Sequence, residues 1–300
     1  MFYRSLFLLA LPICIQNILV FGVTMTDSLL VGRLGGASIS GLYLGCAFTN
    51  VVMNIIFGIS STSVILTSQY WGIRNLNAIK DIGSMAARMQ FVVGFAAFIV
   101  SWFFPTFVPG LMSSNSEAVA KGAEYIHAVS FSFLFLCISQ AMLTTLRGVE
   151  VVDIGMKNAF LAFMLNLGLN PIFIYGLAGM PRLEVVGAGA VTSFARFVEL
   201  VFVSYYLFKI DKVLRFKVCD YLRWNPVLFR DMVKYGIPLM AGQAVWACNQ
   251  FFRGYFNGHM PPPVLCHRLD SRLHRRHGLD DPPRLCHGGL HPDGQDHRSQ

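Results

Sequence analysis

The chain has 300 residues, of which 54% are hydrophobic and only 13% are charged. Soluble globular proteins contain about 25% charged residues, so this composition excludes a soluble domain and indicates an integral membrane protein. The formal net charge of +8 does not indicate nucleic-acid binding, because the basic residues lie between apolar runs and in the C-terminal region.

Long apolar runs recur along the chain and are separated by short polar breaks. A membrane-spanning helix needs about 20 mostly apolar residues, and each run is long enough. We predict spanning helices over residues 5–32, 38–70, 80–110, 117–146, 151–176, 184–208 and 229–257. The chain is therefore predicted to be an all-α polytopic membrane protein.

The first run is uncharged from Ser5 to Gly32 except for one carboxylate, Asp27. A carboxylate within a membrane span is costly, which makes it a functional-site hypothesis. Asn17 lies nearly three helical turns earlier, roughly on the same side of the helix. The alternative interpretation is that Asp27 caps the helix or snorkels near the water interface, and that Asn17 hydrogen-bonds to a neighbouring helix.

Loop charges predict the orientation of the chain. Basic residues lie in alternate breaks, at Arg74, Lys80, Arg147 and Lys157, and again over 209–234. The intervening loops carry few of them. Because cytoplasmic loops are enriched in Lys and Arg, the N-terminus is predicted to be cytoplasmic, and the linker at 209–228 is predicted to be a solvated, basic cytoplasmic connection.

Further polar residues lie inside later apolar runs. Asn166 and Asn170 are spaced i, i+4 and therefore share one helix face. They are either site residues or interhelical hydrogen-bonding groups. Glu199 follows Arg196 by three residues, so we expect these two charges to neutralise each other within one helix.

The chain contains a weak internal repeat. Leu9–Pro12 (LALP) has a counterpart in Tyr235–Pro238 (YGIP), and each begins a long apolar helix. Six spans per repeat leave both copies in the same orientation, which predicts two parallel halves around a central cavity. We therefore divide the chain into a six-helix lobe, a linker, a seventh helix and a tail, at residues 1–208, 209–228, 229–260 and 261–300.

The tail at 261–300 differs in composition from the rest of the chain, because it holds six of the eight histidines and lacks Ala, Ile and Phe. We interpret it as translation out of frame. A zinc site is the alternative, but the spacing of the candidate ligands matches no usual zinc pattern. Those candidates are Cys266, His267, His274, His277, Cys286 and His287.

Several stretches together resemble one known family. Asp27–Gly35 (DSLLVGRLG), Ser68–Gly72 (SQYWG), Asn166–Gly176 (NLGLNPIFIYG) and Gly187–Thr192 (GAGAVT) with Arg196 occur in the family's order. They are similar to segments of the multidrug and toxic compound extrusion (MATE) transporters, in their NorM-like form. The similarity extends over about residues 5–260.

The resemblance implies a fold of twelve helices in two six-helix lobes, of which this chain holds one lobe and the first helix of the second. It implies a secondary antiporter in the bacterial inner membrane that exports cationic, amphiphilic compounds in exchange for H⁺ or Na⁺. By this resemblance Asp27 takes part in cation coupling, with Asn166, Asn170 and Thr192 nearby. Asn170 stands where some members have Asp.

No enzyme is expected, since the chain lacks the phosphate-binding GxxxxGK loop, the HExxH motif and the GxSxG motif. The predicted partners are small cationic substrates and the lipid bilayer, with no cofactor beyond the coupling ion and no resident metal. Oligomeric state and substrate identity stay open. Two alternatives remain: a lipid-linked oligosaccharide flippase of related fold, and a truncated membrane fragment without transport activity.

Overall fold

The computed structural model describes residues 2–32, 34, 36–113, 115–176, 183–211 and 213–259. Over these ranges the chain is helical and contains no strand, which confirms the predicted all-α class. The tail and its candidate zinc ligands lie outside the described residues. The α-helices are α1 (Phe2–Gly32), α2 (Gly36–Gly72), α3 (Leu76–Phe103), α4 (Phe107–Met112), α5 (Ser116–Gly148), α6 (Asp153–Tyr175), α7 (Glu184–Tyr205) and α8 (Pro226–His259).

The helix ends follow local chemistry. Asn75 caps α3 by accepting a hydrogen bond from the Ala78 N–H at 3.2 Å, and Asn115 caps α5 by accepting from the Glu117 N–H at 3.0 Å. At the C-terminal end of α6, Gly176 adopts the left-handed conformation with φ 73°, which glycine reaches without steric cost. Short polar breaks therefore stop each apolar run at a defined residue.

Six helices in the described ranges are long and apolar enough to cross a membrane: α1, α2, α3, α5, α6 and α7. These form the predicted six-helix lobe. The predicted seventh span, α8, is a continuous helix but is not among them. Its apolar run is diluted by Gln243, Asn249 and Gln250, so its passage through the membrane stays a prediction.

The predicted span at 80–110 is wrong in its bounds, because the chain forms two helices there. α3 ends at Phe103, and α4 begins at Phe107. Pro105 lies between them. Proline lacks a backbone N–H and disfavours helical geometry in the residue before it, so a helix ends at this point.

The core of the lobe forms around α5, which packs against α2, α3 and α7. Phe133 is fully buried in its largest apolar cluster. A Cβ on Gly148 would lie 2.5 Å from Thr67 Cγ2, so only glycine allows α5 and α2 to approach so closely at this end of the lobe. α1 lies at the edge of this core and packs mainly against α6, which brings Asp27 next to the polar face of α6.

The linker exposes basic side chains such as Arg215 and Lys217, and it is also attached to the first half of α3. Lys80 Nζ lies 2.9 Å from Asp220 Oδ2, and Arg88 donates to the Tyr221 carbonyl at 2.9 Å. Arg223 lies 3.1 Å from Asp220 Oδ1. The position of the linker is therefore fixed by contacts between its carboxylate and carbonyl oxygens and nearby basic side chains.

Candidate functional site

The candidate site lies where α1 and α6 meet. Asn170 Nδ2 of α6 donates a hydrogen bond to Asp27 Oδ1 of α1. Further along both helices, the Tyr175 hydroxyl donates to the Leu30 carbonyl at 2.7 Å. Two hydrogen bonds therefore join α1 to α6 over this segment, and the first of them places a neutral amide on the carboxylate.

Asp27 does not snorkel to water, because only 9% of its surface is exposed. Asn166 and Asn170 are buried as well. Their side-chain oxygens, Asn166 Oδ1 and Asn170 Oδ1, are buried and accept no hydrogen bond from the described residues. An unsatisfied buried acceptor costs about 1–3 kcal/mol. The site therefore concentrates one carboxylate and two amide oxygens that have no donor, a set of hard oxygen ligands suited to a cation.

A cavity of about 60 Å³ lies beside this cluster, between α1, α6 and α7. Its volume is enough for a few water molecules. Asn166 is part of the cavity wall. It also lies one helical turn from Asn170, on the face of α6 that contacts Asp27. The cavity is lined by Val20, Val23, Thr24, Ala159, Ala162, Asn166, Thr192, Ala195, Arg196 and Glu199.

Thr192, another of the predicted site residues, lines this cavity. Its hydroxyl donates to the Ala188 carbonyl of its own helix at 2.9 Å, and the hydroxyl oxygen is left as an acceptor. Thr192 does not contact Asp27 through any hydrogen bond recorded between described residues. It therefore belongs to the approach to the carboxylate and not to its immediate partners.

Asn17 does not join the other predicted site residues. Ten residues separate it from Asp27 on α1, which is about 15 Å along the helix axis, and its side chain is exposed. Its neighbour Gln16 accepts a hydrogen bond from Arg147 at 3.2 Å. In this part of α1, Gln16 contacts α5 and Asn17 is exposed, so neither contacts Asp27. Four of the five predicted residues gather at the site or its cavity, and Asn17 lies apart.

The expected pairing of Arg196 with Glu199 is present, with a distance of 2.7 Å between Nη1 and Oε2. Their presence in the wall of the cavity was not predicted. A signal for it exists in the sequence, because Thr192, Arg196 and Glu199 have i, i+4 and i+7 spacing and so share one helix face. Only the packing of α7 against α6 shows that this face is turned toward the site.

The side chains at this site are better suited to binding a small ion than to catalysing a reaction. Among the described residues, no three His, Cys, Asp or Glu side chains lie close enough together to bind a metal ion as a group. The site instead presents a single carboxylate with neutral oxygens, next to a neutralised charge pair. Such a site can take up one proton or one monovalent cation with little change in the number of its protein partners.

Comparison with known proteins agrees with this architecture. The family model MatE matches residues 12–172, a range that includes Asp27, Asn166 and Asn170. The chain is 23% identical over 239 residues to the probable multidrug resistance protein YoeA of Bacillus subtilis, covering 79% of the chain and 52% of that protein. It is 22% identical over 241 residues to the multidrug resistance protein NorM of Vibrio cholerae, covering 79% and 52%.

Solved structures show the same fold. A MOP superfamily transporter from Pyrococcus furiosus matches with a TM-score of 0.76 and 21% identity, covering 91% of this chain and 60% of that chain. The outward-facing form of a multidrug resistance MATE family transporter matches with a TM-score of 0.75 and 21% identity, covering 83% and 54%. The chain spans about half the length of the curated relatives it matches. Because the family model covers more than half of the chain, this protein belongs to the MatE family, as its motifs predicted.

Proposed function

We propose that this lobe carries the cation-coupling site of a secondary antiporter that exports cationic, amphiphilic compounds in exchange for H⁺ or Na⁺. Asp27 is the coupling carboxylate. Asn166 and Asn170 supply amide oxygens and orient it, and Thr192 lines the approach. The observation that carries the proposal is the buried Asp27 held by the Asn170 amide, next to two buried amide oxygens without donors.

The physical basis is competition for one negative charge. An ionised carboxylate in a low-dielectric interior costs several kcal/mol, and the neutral amide of Asn170 removes only part of that cost. A proton, a sodium ion or an organic cation can each neutralise Asp27. Two of them cannot do so comfortably at once, so the entry of one favours the departure of another. This mutual exclusion is what antiport requires.

The neutral side chain of Asn170 limits the charge that a coupling ion in this site would have to balance. An acid at this position would place two carboxylates in the site, whereas Asn170 leaves Asp27 as the single charge within the α1–α6 contact. A single negative charge is balanced by one monovalent cation or one proton. We therefore propose one coupling ion bound per lobe.

The flippase alternative calls for basic side chains that face an anionic pyrophosphate. Among the residues that line the described cavity, Arg196 is the one base, and Glu199 neutralises it at 2.7 Å. The carboxylate and amides of the site favour a cation instead. The charge pattern of this region therefore supports cation export over lipid-linked oligosaccharide transport.

The test measures cation binding, which depends on the site described within this lobe. The full chain is reconstituted in lipid nanodiscs, and binding of tetraphenylphosphonium is measured with and without Na⁺ and at several pH values. We expect Asp27→Asn to weaken binding at least about tenfold, the loss expected for one charge–charge interaction in a partly buried site. Na⁺ and acid should compete with the probe in the wild type and not in the variant.

Asp153→Asn is the matched control, because Asp153 is an exposed acid at the start of α6 and the substitution is chemically identical. It should bind the probe like the wild type. Equal binding by Asp27→Asn and the wild type would show that another group binds the cation. A wild-type chain that binds no probe at any pH would support the fragment alternative.

A further inference from the structure

We propose that Arg196 is a tethered counter-ion of the Asp27 site, exchanging its guanidinium between Glu199 and the Asp27–Asn166 cluster as the site empties and fills. The inference rests on the proposed function, because it needs Asp27 to lose and regain a proton or cation. It assigns to the Arg196–Glu199 pair of α7 a role in setting how tightly the Asp27 site binds a proton or cation. Sequence reasoning gave that pair only a structural role.

The two side chains of the Arg196–Glu199 pair differ in their exposure. The Glu199 side chain is 4% exposed, whereas the Arg196 side chain is 24% exposed and lines the cavity. A guanidinium has five N–H donors, and Arg196 makes one hydrogen bond to the described residues, to Glu199. The remaining donors are therefore available to another acceptor that shares the cavity.

Such acceptors lie across the same space. Asn166 lines the cavity together with Arg196, and its buried Oδ1 has no donor among the described residues. Asn170 follows Asn166 by one helical turn, about 5.4 Å, and it contacts Asp27 directly. A change of rotamer within the cavity of about 60 Å³ would move the guanidinium from Glu199 toward Asn166 and Asp27.

The charge count gives the movement a cause. Two carboxylates, Asp27 and Glu199, share one guanidinium. When Asp27 is neutralised by a proton or cation, Arg196 is best placed on Glu199. When Asp27 is empty and ionised, the guanidinium is attracted toward it, because opposite charges in a partly buried site interact more strongly than they do in water. The tethered charge thereby competes with the transported ions and promotes their release.

Other titratable groups near Asp27 do not replace this counter-ion. Cys46 of α2 and Tyr125 of α5 pack in the same apolar cluster as Val31 of α1, and neither side chain can carry a positive charge. α1 contributes no other charge between Ser5 and Gly32. Among the residues that line the cavity beside Asp27, Arg196 is the one base.

The experiment follows Asp27 with a hydrophobic carbodiimide, dicyclohexylcarbodiimide, which reacts with protonated carboxyl groups inside membranes. The full chain in nanodiscs is labelled at several pH values, and the modified Asp27 peptide is quantified by mass spectrometry. We compare the wild type with Glu199→Gln and with the double variant Arg196→Gln/Glu199→Gln. Arg196→Gln alone leaves Glu199 buried and unpaired and endangers folding, so the double variant is the main probe.

The two variants should move in opposite directions. Glu199→Gln leaves Arg196 to Asp27 alone, so labelling of Asp27 should slow by about tenfold and tetraphenylphosphonium binding should weaken by about the same factor. The double variant removes the counter-ion without changing the net charge, so labelling and binding should each increase about tenfold. Both factors correspond to the Coulomb interaction of one pair of charges in a partly buried site.

A purely structural pair predicts a different pattern, in which both variants leave labelling unchanged or shift it in the same direction. Either result would overturn the inference. If Asp27→Asn also abolishes cation binding, the proposed function survives that failure. If Asp27→Asn binds tetraphenylphosphonium normally, the proposed function fails, whatever the α7 variants show.

Discussion

Two buried carboxylates of this protein have similar exposure and opposite surroundings. Asp27 is 9% exposed and Asp220 is 7% exposed. Asp27 is bonded to a neutral amide, whereas Asp220 contacts Lys80 at 2.9 Å and Arg223 at 3.1 Å. The charge of Asp220 is already balanced, so it serves to attach the linker. In the proposed function, the charge of Asp27 is left for a proton or a bound cation. The partner, more than the burial, separates a binding site from a structural contact.

The largest expected effect comes from giving Asp27 the kind of partner that Asp220 has. Asn170→Lys places an ammonium beside the carboxylate, and we expect tetraphenylphosphonium binding to fall about a hundredfold, since a buried charge-assisted contact contributes about 1.5–3 kcal/mol. Nanodisc binding titrations measure it. Asn170→Gln, which keeps a neutral amide, should lose much less. Retained binding in the lysine variant would mean that Asp27 does not contact the cation.

A smaller effect is expected from removing a partner of Asp220. Lys80→Met leaves the apolar stem of the side chain and deletes the charge, so the linker should loosen and the free energy of unfolding should fall by about 1–3 kcal/mol. Thermal unfolding in nanodiscs measures the change. Binding of tetraphenylphosphonium should stay within about twofold of the wild type. A loss of binding comparable to that of Asp27→Asn would show that the linker and the site are not independent.

The smallest effect is a pH dependence confined to the linker. Burial alone raises the pKa of Asp220, but hydrogen bonds from Lys80 and from the Lys217 N–H, together with the Arg223 charge, outweigh it and keep the pKa below its ordinary value. The folded state therefore binds fewer protons than the unfolded state. The stabilisation is complete above the ordinary aspartate pKa of about 3.9 and is lost as pH falls through the lowered folded pKa.

Pepsin digestion at graded acidic pH measures this loss, as cleavage between residues 211 and 225 that increases with falling pH. Asp220→Asn should be cleaved more readily and with little dependence on pH in this window. A wild-type linker whose cleavage does not change across the window would contradict the assigned role of Asp220. The α1–α6 contact should not become sensitive to pepsin under the same conditions, because it lies within the lobe.

Much of the site was predictable because its signals are local. Asp27 is conspicuous as the one charge in a long apolar run, and the i, i+4 spacing of Asn166 and Asn170 places both on one face of a single helix. The pairing of Arg196 with Glu199 follows from i, i+3 spacing in the same way. These inferences need no knowledge of which helices are neighbours. The resemblance to a transporter family added the link between α1 and α6.

The errors share a different cause. Asn17 was grouped with Asp27 by helical phase alone, but α1 presents its polar residues to different partners along its length. The attachment of the linker to α3 was not predicted, because it depends on Lys80 and Asp220, which are 140 residues apart. Contacts over such distances in the chain leave no periodic signal in the sequence.

The amino-acid sequence by itself determined that this chain is a helical membrane protein, approximately where its long helices lie, and which polar residues are too costly to lie in them by chance. Hydrophobic periodicity and the cost of buried charge act locally, so one sequence reveals them. Only the tertiary structure decided that Asn170 is the partner of Asp27, that Asn166 and Arg196 share a cavity, and that Asn17 lies outside the site. Those facts depend on how separate helices pack, because packing alone brings distant side chains within the range of hydrogen bonds and charges.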